Sequence, residues 1–448
     1  MGGFTLATQI RDRAGGRCEV LRSCLAQDET VCKAQTMLAA LAAQLILSGG
    51  LYVATSRVDI TPSVPLPLGG YTERGSKLSG PGGDRLYART VLFLAGTTKI
   101  AVVSVETLTI PESFVREVKK RIPSDVTLFL AATHTHSAPD SQMLNERMTF
   151  SIPGIAKFDR KWLKWYADKI GEGILSARKQ TDPAFEVGIR TSHADVNTGR
   201  RKFADPDQTV TEVRLPLLPG RDFIRPPARW LFLHYAAHGT VYSAKEMKLK
   251  GDWPGEVSRR TGLAVLQGAI GDVLPKESGP TAEDSVAGIA NALLRNRYQT
   301  WDEIVWEPGM PLSTAKVSIA LDPVQPHPTM AKSYGVPEGF AAAIVKQFAP
   351  PSAEITAFRI GKLAVVGVPG EPTSILGRQI RDAGRRMGFS SVLVCSHVNG
   401  WMGYILDPED YDRGGYEATL SFYGREEGTK VVDAAVAALK ALRARGHR

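Results

Sequence analysis

The sequence predicts an α/β protein in which mixed sheets are covered by flanking helices as a layered sandwich. From residue 51 onward, short apolar runs bounded by turn residues alternate with amphipathic helical segments. Some of these runs are joined by hairpin turns, which connect antiparallel strands, whereas strand–helix alternation produces parallel ones. Both patterns occur together, so we expect mixed sheets within a single large domain, residues 51–448.

The composition is typical of a globular protein and limits the class of partner. Of 448 residues, 43% are hydrophobic and 23% charged. The body has no run of 18 apolar residues, so no spanning helix is expected there. The formal net charge of +9 is scattered, without a helix-turn-helix pattern or an aromatic–basic stripe. We therefore predict no nucleic-acid partner, and regard peripheral contact with an anionic membrane surface as the milder interpretation of the charge.

Residues 1–50 form a distinct N-terminal extension. Three of the four cysteines lie there, at an irregular spacing that argues against a zinc or disulfide cluster: Cys18, Cys24 and Cys32. An apolar stretch at 37–47 follows Lys33 and precedes small residues, as in a secretory signal. We expect export to the periplasm or the outside, with Met37 as the candidate true start. A short buried helix is the alternative.

Strands are predicted where short apolar runs end in turn residues: 51–58, 90–95, 99–105, 126–132, 185–190, 210–217, 229–235, 356–360, 363–368 and 391–395. Helices are predicted where apolar residues recur every three or four positions: 114–121, 162–178, 282–294, 339–347, 373–387 and 430–443. Between the first two strands, residues 63–85 are rich in Gly, Pro and Ser, and long irregular segments of this kind are usually functional. Cys395 lies in an apolar run and is expected to be buried and inert.

Two histidines follow the predicted buried strand 126–132. His134 and His136 are two residues apart, so on an extended backbone both side chains project to one face. Neutral imidazole is the commonest metal ligand, and a pair of histidines suits Zn²⁺. Hydrogen-bonded loop histidines are the alternative.

Two further strands end in metal-binding residue types. Strand 229–235 leads into His238, and four of the eight histidines lie in these two strand-end segments. Strand 363–368 delivers Glu371 to the turn before a helix. That carboxylate either completes a His/His/Glu set with an open position for water, or stabilises the N-terminus of the helix.

A loop near the end of the chain, residues 399–417, holds three tyrosines amid glycines and acids. Among them, Tyr404 and Tyr416 each stand in a short glycine-containing context. Tyrosines in such a loop line a site or simply pack at the surface, and composition alone does not decide between the two.

Taken in order, these segments resemble the neutral/alkaline (non-lysosomal) ceramidase family in its N-terminal catalytic domain. The shared elements are HTHSAP at 134–139, HGT at 238–240, VPGEPTS at 368–374, Gly-Tyr404, and Tyr416-Glu. DITP at 59–62, Gly-Tyr71 and RLYAR at 85–89 are similar too. Each motif is weak alone, but five in the same order are specific. The resemblance covers residues 51–424.

The resemblance implies a zinc-dependent hydrolase that cleaves the amide bond of ceramide or a related N-acyl lipid. The zinc ligands of the family fall here on four residues: His134, His238, Glu371 and Tyr404. Tyr416 matches a tyrosine near the scissile amide, and His136 a histidine beside the substrate. A substrate-contacting arginine of the family matches the stretch 197–201, where either Arg200 or Arg201 fits.

Two departures from the family pattern bear on the substrate. The family carries Gly-Asp-Val-Ser-Pro, whose serine is assigned as catalytic, where this chain has Leu274. A leucine neither attacks a carbonyl nor hydrogen-bonds a hydroxyl, so we expect poor handling of ceramide and better handling of plainer amides. The family also continues into an immunoglobulin-like domain, whereas this chain stops after the helix 430–443, which favours a more soluble substrate.

Two other functions remain open from the sequence. One is a zinc hydrolase of the same fold that acts on another amide or an ester. The other is a catalytically inactive, secreted binding protein, for which Leu274 is the only support. The presence of all four ligand-type residues argues against the second, because stability alone would not require that set.

Overall fold

The computed structural model describes residues 50–179, 181–184, 186–216, 228–295, 304–308 and 311–444. The predicted export segment at 37–47 and the three N-terminal cysteines lie outside these ranges, so the extension at 1–50 stays a prediction. From Leu51 onward the chain forms one compact unit. None of the described helices combines the length and the apolar character that crossing a membrane requires.

The described strands are β1 (Leu51–Asp59), β2 (Tyr87–Ala95), β3 (Thr98–Val105), β4 (Val126–Ala132), β5 (Asp182–Ala184), β6 (Glu186–His193), β7 (Asn197–Gly199), β8 (Thr209–Pro216), β9 (Ala228–Tyr235), β10 (Ala264–Gln267), β11 (Val273–Pro275), β12 (Ile304–Pro308), β13 (Leu312–Ser318), β14 (Glu354–Ile360), β15 (Leu363–Gly367), β16 (Glu371–Pro372), β17 (Ser391–Cys395) and β18 (Tyr404–Ile405).

The described helices are α1 (Glu112–Lys119), α2 (Arg160–Ala177), α3 (Asp252–Thr261), α4 (Ala282–Leu294), α5 (Met330–Tyr334), α6 (Glu338–Phe348), α7 (Ser374–Arg386), α8 (Pro408–Asp412), α9 (Tyr416–Thr419) and α10 (Glu427–Ala444). Short 3₁₀ turns occur at Thr72–Arg74 and Ser141–Leu144.

Within the described ranges, three sheets of four or five strands make up the body. Their strand orders are β4-β3-β2-β1-β5, β10-β9-β8-β6-β12 and β13-β14-β15-β17. Neighbouring strands are antiparallel except for one parallel pair at the edge of each sheet: β3–β4, β9–β10 and β15–β17. A helix makes each parallel connection: α1, α3 and α7. The predicted α/β class with mixed sheets is confirmed.

The inner faces of the three sheets meet in a shared apolar core. Phe93, Phe232 and Phe358, one from each sheet, belong to this core, and the Phe93 and Phe358 ring centroids lie 6.2 Å apart. Along β2 the alternation of strand side chains sends Phe93 into the core and Leu92 to the opposite face. Such two-sided burial explains why the strands are near-continuous apolar runs.

Helices cover the outer face of each sheet. Helices α1 and α2 pack on the first sheet, and α3 and α4 on the second. Helices α5, α6, α7 and α10 pack on the third. Each sheet is therefore buried on both sides, and the carboxyl ends of its parallel strands are left as the openings in the layers.

Most elements agree with the sequence-based expectations to within a few residues. Helix α4 matches its predicted bounds, and Cys395 is buried and free, as predicted. Helix α3 and strand β10 were not predicted. Helix α3 begins Asp252-Trp-Pro-Gly255, which is typical of a loop, but proline in the first turn of a helix costs no hydrogen bond.

Candidate metal centre

Strand ends deliver the predicted ligands to one place. Strand β4 leads to His134, β9 to His238 and β15 to Glu371, and all three strands belong to the parallel edge pairs. Tyr404 arrives differently: it is the direct register partner of Glu371 in the short parallel pair β16–β18. Three separate sheets therefore contribute to a single point, as expected where parallel strands end.

The four side chains converge in a buried position, which we call the candidate metal centre: His134, His238, Glu371 and Tyr404. Glu371 Oε2 lies 3.3 Å from His238 Nε2 and 3.7 Å from His134 Nε2. The Tyr404 hydroxyl lies 3.4 Å from His238 Nε2. All four residues are at most 4% exposed. The structure thus brings together every residue that the sequence assigned to zinc.

Backbone carbonyls fix the orientation of two of the rings. His134 Nδ1 lies 2.8 Å from Leu108 O, and His238 Nδ1 lies 2.8 Å from Val273 O. A carbonyl oxygen only accepts hydrogen bonds, so in each ring Nδ1 carries the proton and Nε2 keeps its lone pair. Both lone pairs point at Glu371, which is the arrangement that metal-ligating histidines adopt.

Glycine allows the two histidine segments to approach each other. Thr135 and Gly239 form a parallel bridge, and His136 N donates to Gly239 O at 3.0 Å. A Cβ atom at position 239 would lie 2.5 Å from His134 O, closer than real contacts allow. The His-Gly sequence at 238–239 is therefore a packing requirement of the site.

The carboxylate of Glu371 is only half satisfied. Its Oε1 accepts a hydrogen bond from Trp401 Nε1 at 2.9 Å, while Oε2 is buried and has no hydrogen-bond partner in the described part of the chain. A buried charge without a partner is costly. A divalent cation between Oε2 and the imidazole lone pairs would remove that cost, so the donor set fits a zinc ion.

Two further histidines border the centre. His136 Nε2 lies 3.1 Å from His134 Nε2, and candidate ligand atoms of His134, His136 and His238 lie within 4.8 Å of one another. His134, Glu371 and His397 form a second such group. The His397 ring stacks on His134 with centroids 4.1 Å apart, and both of its nitrogens are buried without a hydrogen-bond partner among the described residues.

His397 was not singled out from the sequence. It follows strand β17, just as His134 follows β4 and His238 follows β9. The strand-end pattern would therefore have identified it. Its backbone hydrogen bonds attach it to the site: His397 N donates to Gly370 O at 3.0 Å, and Ala132 N donates to His397 O at 3.3 Å.

Burial disfavours the charged form of three histidines of the site: His134, His136 and His397. Burial lowers the pKa of His136 to about 3 and that of His397 to about 4. The pKa of His134 is lowered well below its ordinary value, by burial first and then by the neighbouring His397. Neutral imidazoles have the free lone pair that metal binding requires.

Strained backbone marks the same region. His134, His397 and Asn399 have positive φ angles of 59°, 56° and 56°. The Asn399 side chain holds this segment in place, since Oδ1 accepts from Leu130 N at 2.9 Å and Nδ2 donates to Leu128 O at 2.7 Å. Left-handed conformations of non-glycine residues cluster at functional sites, where the surrounding structure holds them.

Arg200 and Tyr416 both lie against the Tyr404 ring. The Arg200 guanidinium carbon lies 5.6 Å from the Tyr404 ring centroid and 5.3 Å from that of Tyr416. Its Nε donates to Glu417 at 2.6 Å and its Nη2 to Gly271 O at 2.9 Å. Of the two arginines left open by the sequence, Arg200 is the one that lies against both tyrosines.

Arg201 points elsewhere. Its guanidinium donates to Glu417 Oε2 at 2.8 Å, to Gly414 O at 3.0 Å and to Asp410 O at 2.8 Å. These contacts hold the chain segment that carries Tyr416 and are those of a structural arginine.

Comparison with known proteins finds a family match over one segment of the chain. The family described as neutral/alkaline non-lysosomal ceramidase, N-terminal, matches residues 324–432, a segment that includes Glu371, Tyr404 and Tyr416. Over this segment the chain is similar to the neutral/alkaline ceramidases. The match begins well after His134 and His238, which lie outside it.

Curated ceramidases are similar over short segments. Neutral ceramidase 2 of Arabidopsis thaliana is 33% identical over 95 residues, which is 19% of this chain and 12% of that protein. Neutral ceramidase of Mycobacterium tuberculosis is 33% identical over 72 residues, 15% of this chain and 11% of that protein. The matched segments thus span about an eighth or less of each relative's length.

Solved ceramidase structures share the fold over most of the chain. The crystal structure of neutral ceramidase from Pseudomonas aeruginosa has a TM-score of 0.72 at 18% identity and covers 89% of this chain and 75% of that one. A ceramidase complexed with C2 gives a TM-score of 0.71 at 18% identity, with coverages of 89% and 76%.

The departure from the ceramidase pattern at Leu274 lies beside the metal centre. Leu274 is the register partner of Thr198 in the pair β7–β11, two residues before Arg200. Its neighbour Val273 accepts hydrogen bonds from His238 through both N and Nδ1. Position 274 therefore directly follows a residue whose backbone carbonyl orients the His238 ring.

Proposed function

We propose that this chain is a zinc-dependent amide hydrolase that cleaves ceramide or a related N-acyl compound with a metal-activated water. The observation that carries the proposal is the convergence of two imidazole nitrogens and a tyrosine hydroxyl around the unpartnered Glu371 Oε2 at the candidate metal centre. The similarity of residues 324–432 to the ceramidase family supports the same reaction class.

Zinc held by the four residues of the candidate metal centre would polarise the amide carbonyl and lower the pKa of a water molecule to about 7. The Leu108 and Val273 carbonyls keep the His134 and His238 rings in the ligating tautomer. The centre is closed to bulk water by its burial, which strengthens each electrostatic contact inside it.

His136 and Tyr416 are the proposed proton-handling groups. His136 is neutral, and its Nε2 faces the centre without being needed as one of the four ligands, so it is placed to steer protons between the centre and the leaving amine. The Tyr416 ring lies 5.6 Å from the Tyr404 ring and is 52% exposed, at the entrance. Its hydroxyl is suited to orienting the scissile amide.

Arg200 is the proposed substrate-binding arginine. Glu417 and the Gly271 carbonyl fix its guanidinium between the two tyrosine rings. A polar group of the substrate that lies beside Tyr416 would meet this fixed donor. Arg201 supports the same loop through its hydrogen bonds to Asp410, Gly414 and Glu417.

The test of the reaction is zinc dependence. Purified chain, stripped with a chelator and reloaded, should bind one zinc ion, gain thermal stability from it and release fatty acid from N-acyl substrates only when loaded. Zinc bound without turnover of any amide or ester would favour the binding-protein function. Absence of zinc binding would contradict the proposed centre.

For the substrate we propose that Leu274 makes this chain prefer plainer N-acyl amides to ceramide. The test compares ceramide with simple N-acyl amines for the wild type and for Leu274→Ser, with Leu175→Ser, an exposed change on α2, as the matched control. The Leu274→Ser variant should shift the preference toward ceramide. Efficient ceramide hydrolysis by the wild type would contradict this part of the proposal.

We also propose export to the periplasm or beyond the cell, on the strength of the apolar stretch at 37–47. Mass spectrometry of the native protein should then find a mature N-terminus near residues 48–54. A full-length cytoplasmic chain that begins at Met1 would contradict it.

A further inference from the structure

A second feature near the metal centre is a positively charged cavity that Tyr416 helps to line. It has a volume of about 380 Å³ and is lined by two segments, 200–203 and 410–417. We call it the outer cavity. Four of its lining side chains are cations and two are carboxylates: Arg200, Arg201, Lys202 and Arg413, with Asp410 and Glu417. Cations thus exceed carboxylates at its wall.

Each of the two carboxylates is shared between two guanidinium groups. Glu417 contacts Arg200 at 2.6 Å and Arg201 at 2.8 Å. Asp410 contacts Arg201 at 3.4 Å and Arg413 at 2.9 Å. Sharing fixes the guanidinium groups in place but leaves their charge only partly balanced. Glu409 adds one more carboxylate on Arg413, at the rim, where its side chain is 79% exposed.

Lys202 is a cation of the outer cavity that has no carboxylate partner among the described residues. Across the described ranges, no carboxylate oxygen lies within salt-bridge distance of its ammonium group. The Lys202 Nζ lies 5.3 Å from the Phe203 ring centroid, and the Arg413 guanidinium lies 4.3 Å from the same ring. Phe203 is 48% exposed, so one wall of the cavity is an open aromatic ring between two cations.

The outer cavity adjoins the candidate metal centre. Arg200 and Tyr416 line it, and both lie against the Tyr404 ring, whose hydroxyl is 3.4 Å from His238 Nε2. A substrate whose amide lies at the metal centre would extend one of its two ends into this cavity. A hydrocarbon chain gains nothing from a charged wall, so the end that fits is the polar, amine-side group.

We propose that the outer cavity binds a carboxylate on the amine side of the substrate, so that the substrates are N-acyl amino acids. The inference rests on the proposed hydrolase function and names its substrate class. Planar guanidinium groups are suited to carboxylates, which they bind through two parallel hydrogen bonds. The small excess of positive charge matches a group with a single negative charge.

The test uses two substrates that differ only in charge, N-dodecanoylglycine and N-dodecanoylglycinamide. Dodecanoate release by the zinc-loaded full chain should give a kcat/KM at least about tenfold higher for the glycine compound at low ionic strength, and added salt should reduce that ratio. Lys202→Gln should lower the ratio about threefold and Lys202→Glu further, since the charge is exposed. Lys164→Gln, an exposed lysine on α2, is the control that leaves the ratio unchanged.

Binding to the metal-free chain separates this inference from the proposed function. Calorimetric titration should find tighter binding of the glycine compound than of the glycinamide, with the same dependence on Lys202. Equal kcat/KM values, or equal affinities, for the two compounds would overturn the carboxylate site while leaving a hydrolase. Turnover of neither compound, with selective binding retained, would overturn the proposed reaction and keep the site.

Discussion

The candidate metal centre and the outer cavity adjoin where Tyr404 of the centre meets Arg200 and Tyr416 of the cavity, and their polar atoms are satisfied in different ways. At the centre burial disfavours the charged form of His134, and Glu371 Oε2 has no hydrogen-bond partner within the described ranges. In the outer cavity the groups are charged, and the arginines and carboxylates contact one another in an alternating series.

The two regions therefore depend on a bound ligand to different extents. The centre is incomplete by itself, because burying a carboxylate oxygen beside lone pairs is unfavourable until a cation joins them. In the outer cavity the arginines and carboxylates already contact one another, so a ligand there adjusts selectivity. A change at the centre should therefore abolish activity, and a change in the cavity should tune it.

The largest effect is expected from His238→Ala. The variant loses one ligand and one of the lone pairs that face Glu371, so bound zinc should disappear and kcat/KM should fall at least about 10³-fold. Metal analysis and single-substrate kinetics measure both. His193→Ala, an exposed histidine at the end of β6, should change neither. Full zinc occupancy in His238→Ala would mean that the metal binds elsewhere.

The second prediction concerns a buried carboxyl group, that of Glu427, and its effect on stability. Glu427 is buried at the start of α10, where it accepts hydrogen bonds from Ser421 Oγ at 2.7 Å and Tyr423 N at 3.3 Å. Burial raises its pKa from 4.5 to about 8. The folded state therefore keeps a proton that the unfolded state releases. This contribution to the free energy of unfolding is complete below about pH 4.5 and is lost as the pH rises to about 8.

Glu427→Gln should remove this pH dependence, because glutamine does not ionise. Its free energy of unfolding should exceed that of the wild type at pH 8 by about 2–4 kcal/mol. Urea unfolding of the metal-free chain at pH 5, 6.5 and 8 measures the difference. Glu426→Gln, an exposed neighbour, serves as the control. Parallel pH profiles for wild type and Glu427→Gln would show that the carboxyl ionises normally.

The third prediction tests whether the arginine beside the two tyrosines tunes activity. Arg200→Lys keeps the charge but loses the fork that contacts Glu417 and the Gly271 carbonyl, so kcat/KM should fall about 10–100-fold with zinc content unchanged. Arg201→Lys is the matched variant. Because Arg201 contacts only the supporting loop, its variant should lower the melting temperature and leave kcat nearly unchanged. The reverse pattern would exchange the roles of the two arginines.

The smallest effect is expected from His397→Gln. Its ring stacks on His134 without being one of the four proposed ligands, so zinc affinity should fall about tenfold, as for residues that orient a ligand. Competition with a chromogenic chelator measures the affinity. A loss equal to that of His238→Ala would make His397 a ligand and would enlarge the centre.

The sequence predicted the fold class, and a local rule singled out three of the four proposed ligands, His134, His238 and Glu371, whereas Tyr404 came from the family resemblance. Strand ends in α/β layers carry functional residues, and the short motifs stand where their strands end. It did not decide between Arg200 and Arg201, because adjacent residues differ only in where the fold directs them. His397 was missed although it also follows a strand end, and only the fold shows that its ring stacks on His134.

The short pair β16–β18 has a consequence for how such a site changes during evolution. Glu371 and Tyr404 are direct partners there. The chain between them, residues 372–403, therefore begins and ends on neighbouring strands of the same pair. Lengthening the surface turn at Gly388, between α7 and β17, would leave both ends where they are. One residue inserted beside Glu371 would instead turn its side chain to the other face of the pair. Length variation should be tolerated at that turn, and forbidden at the pair itself.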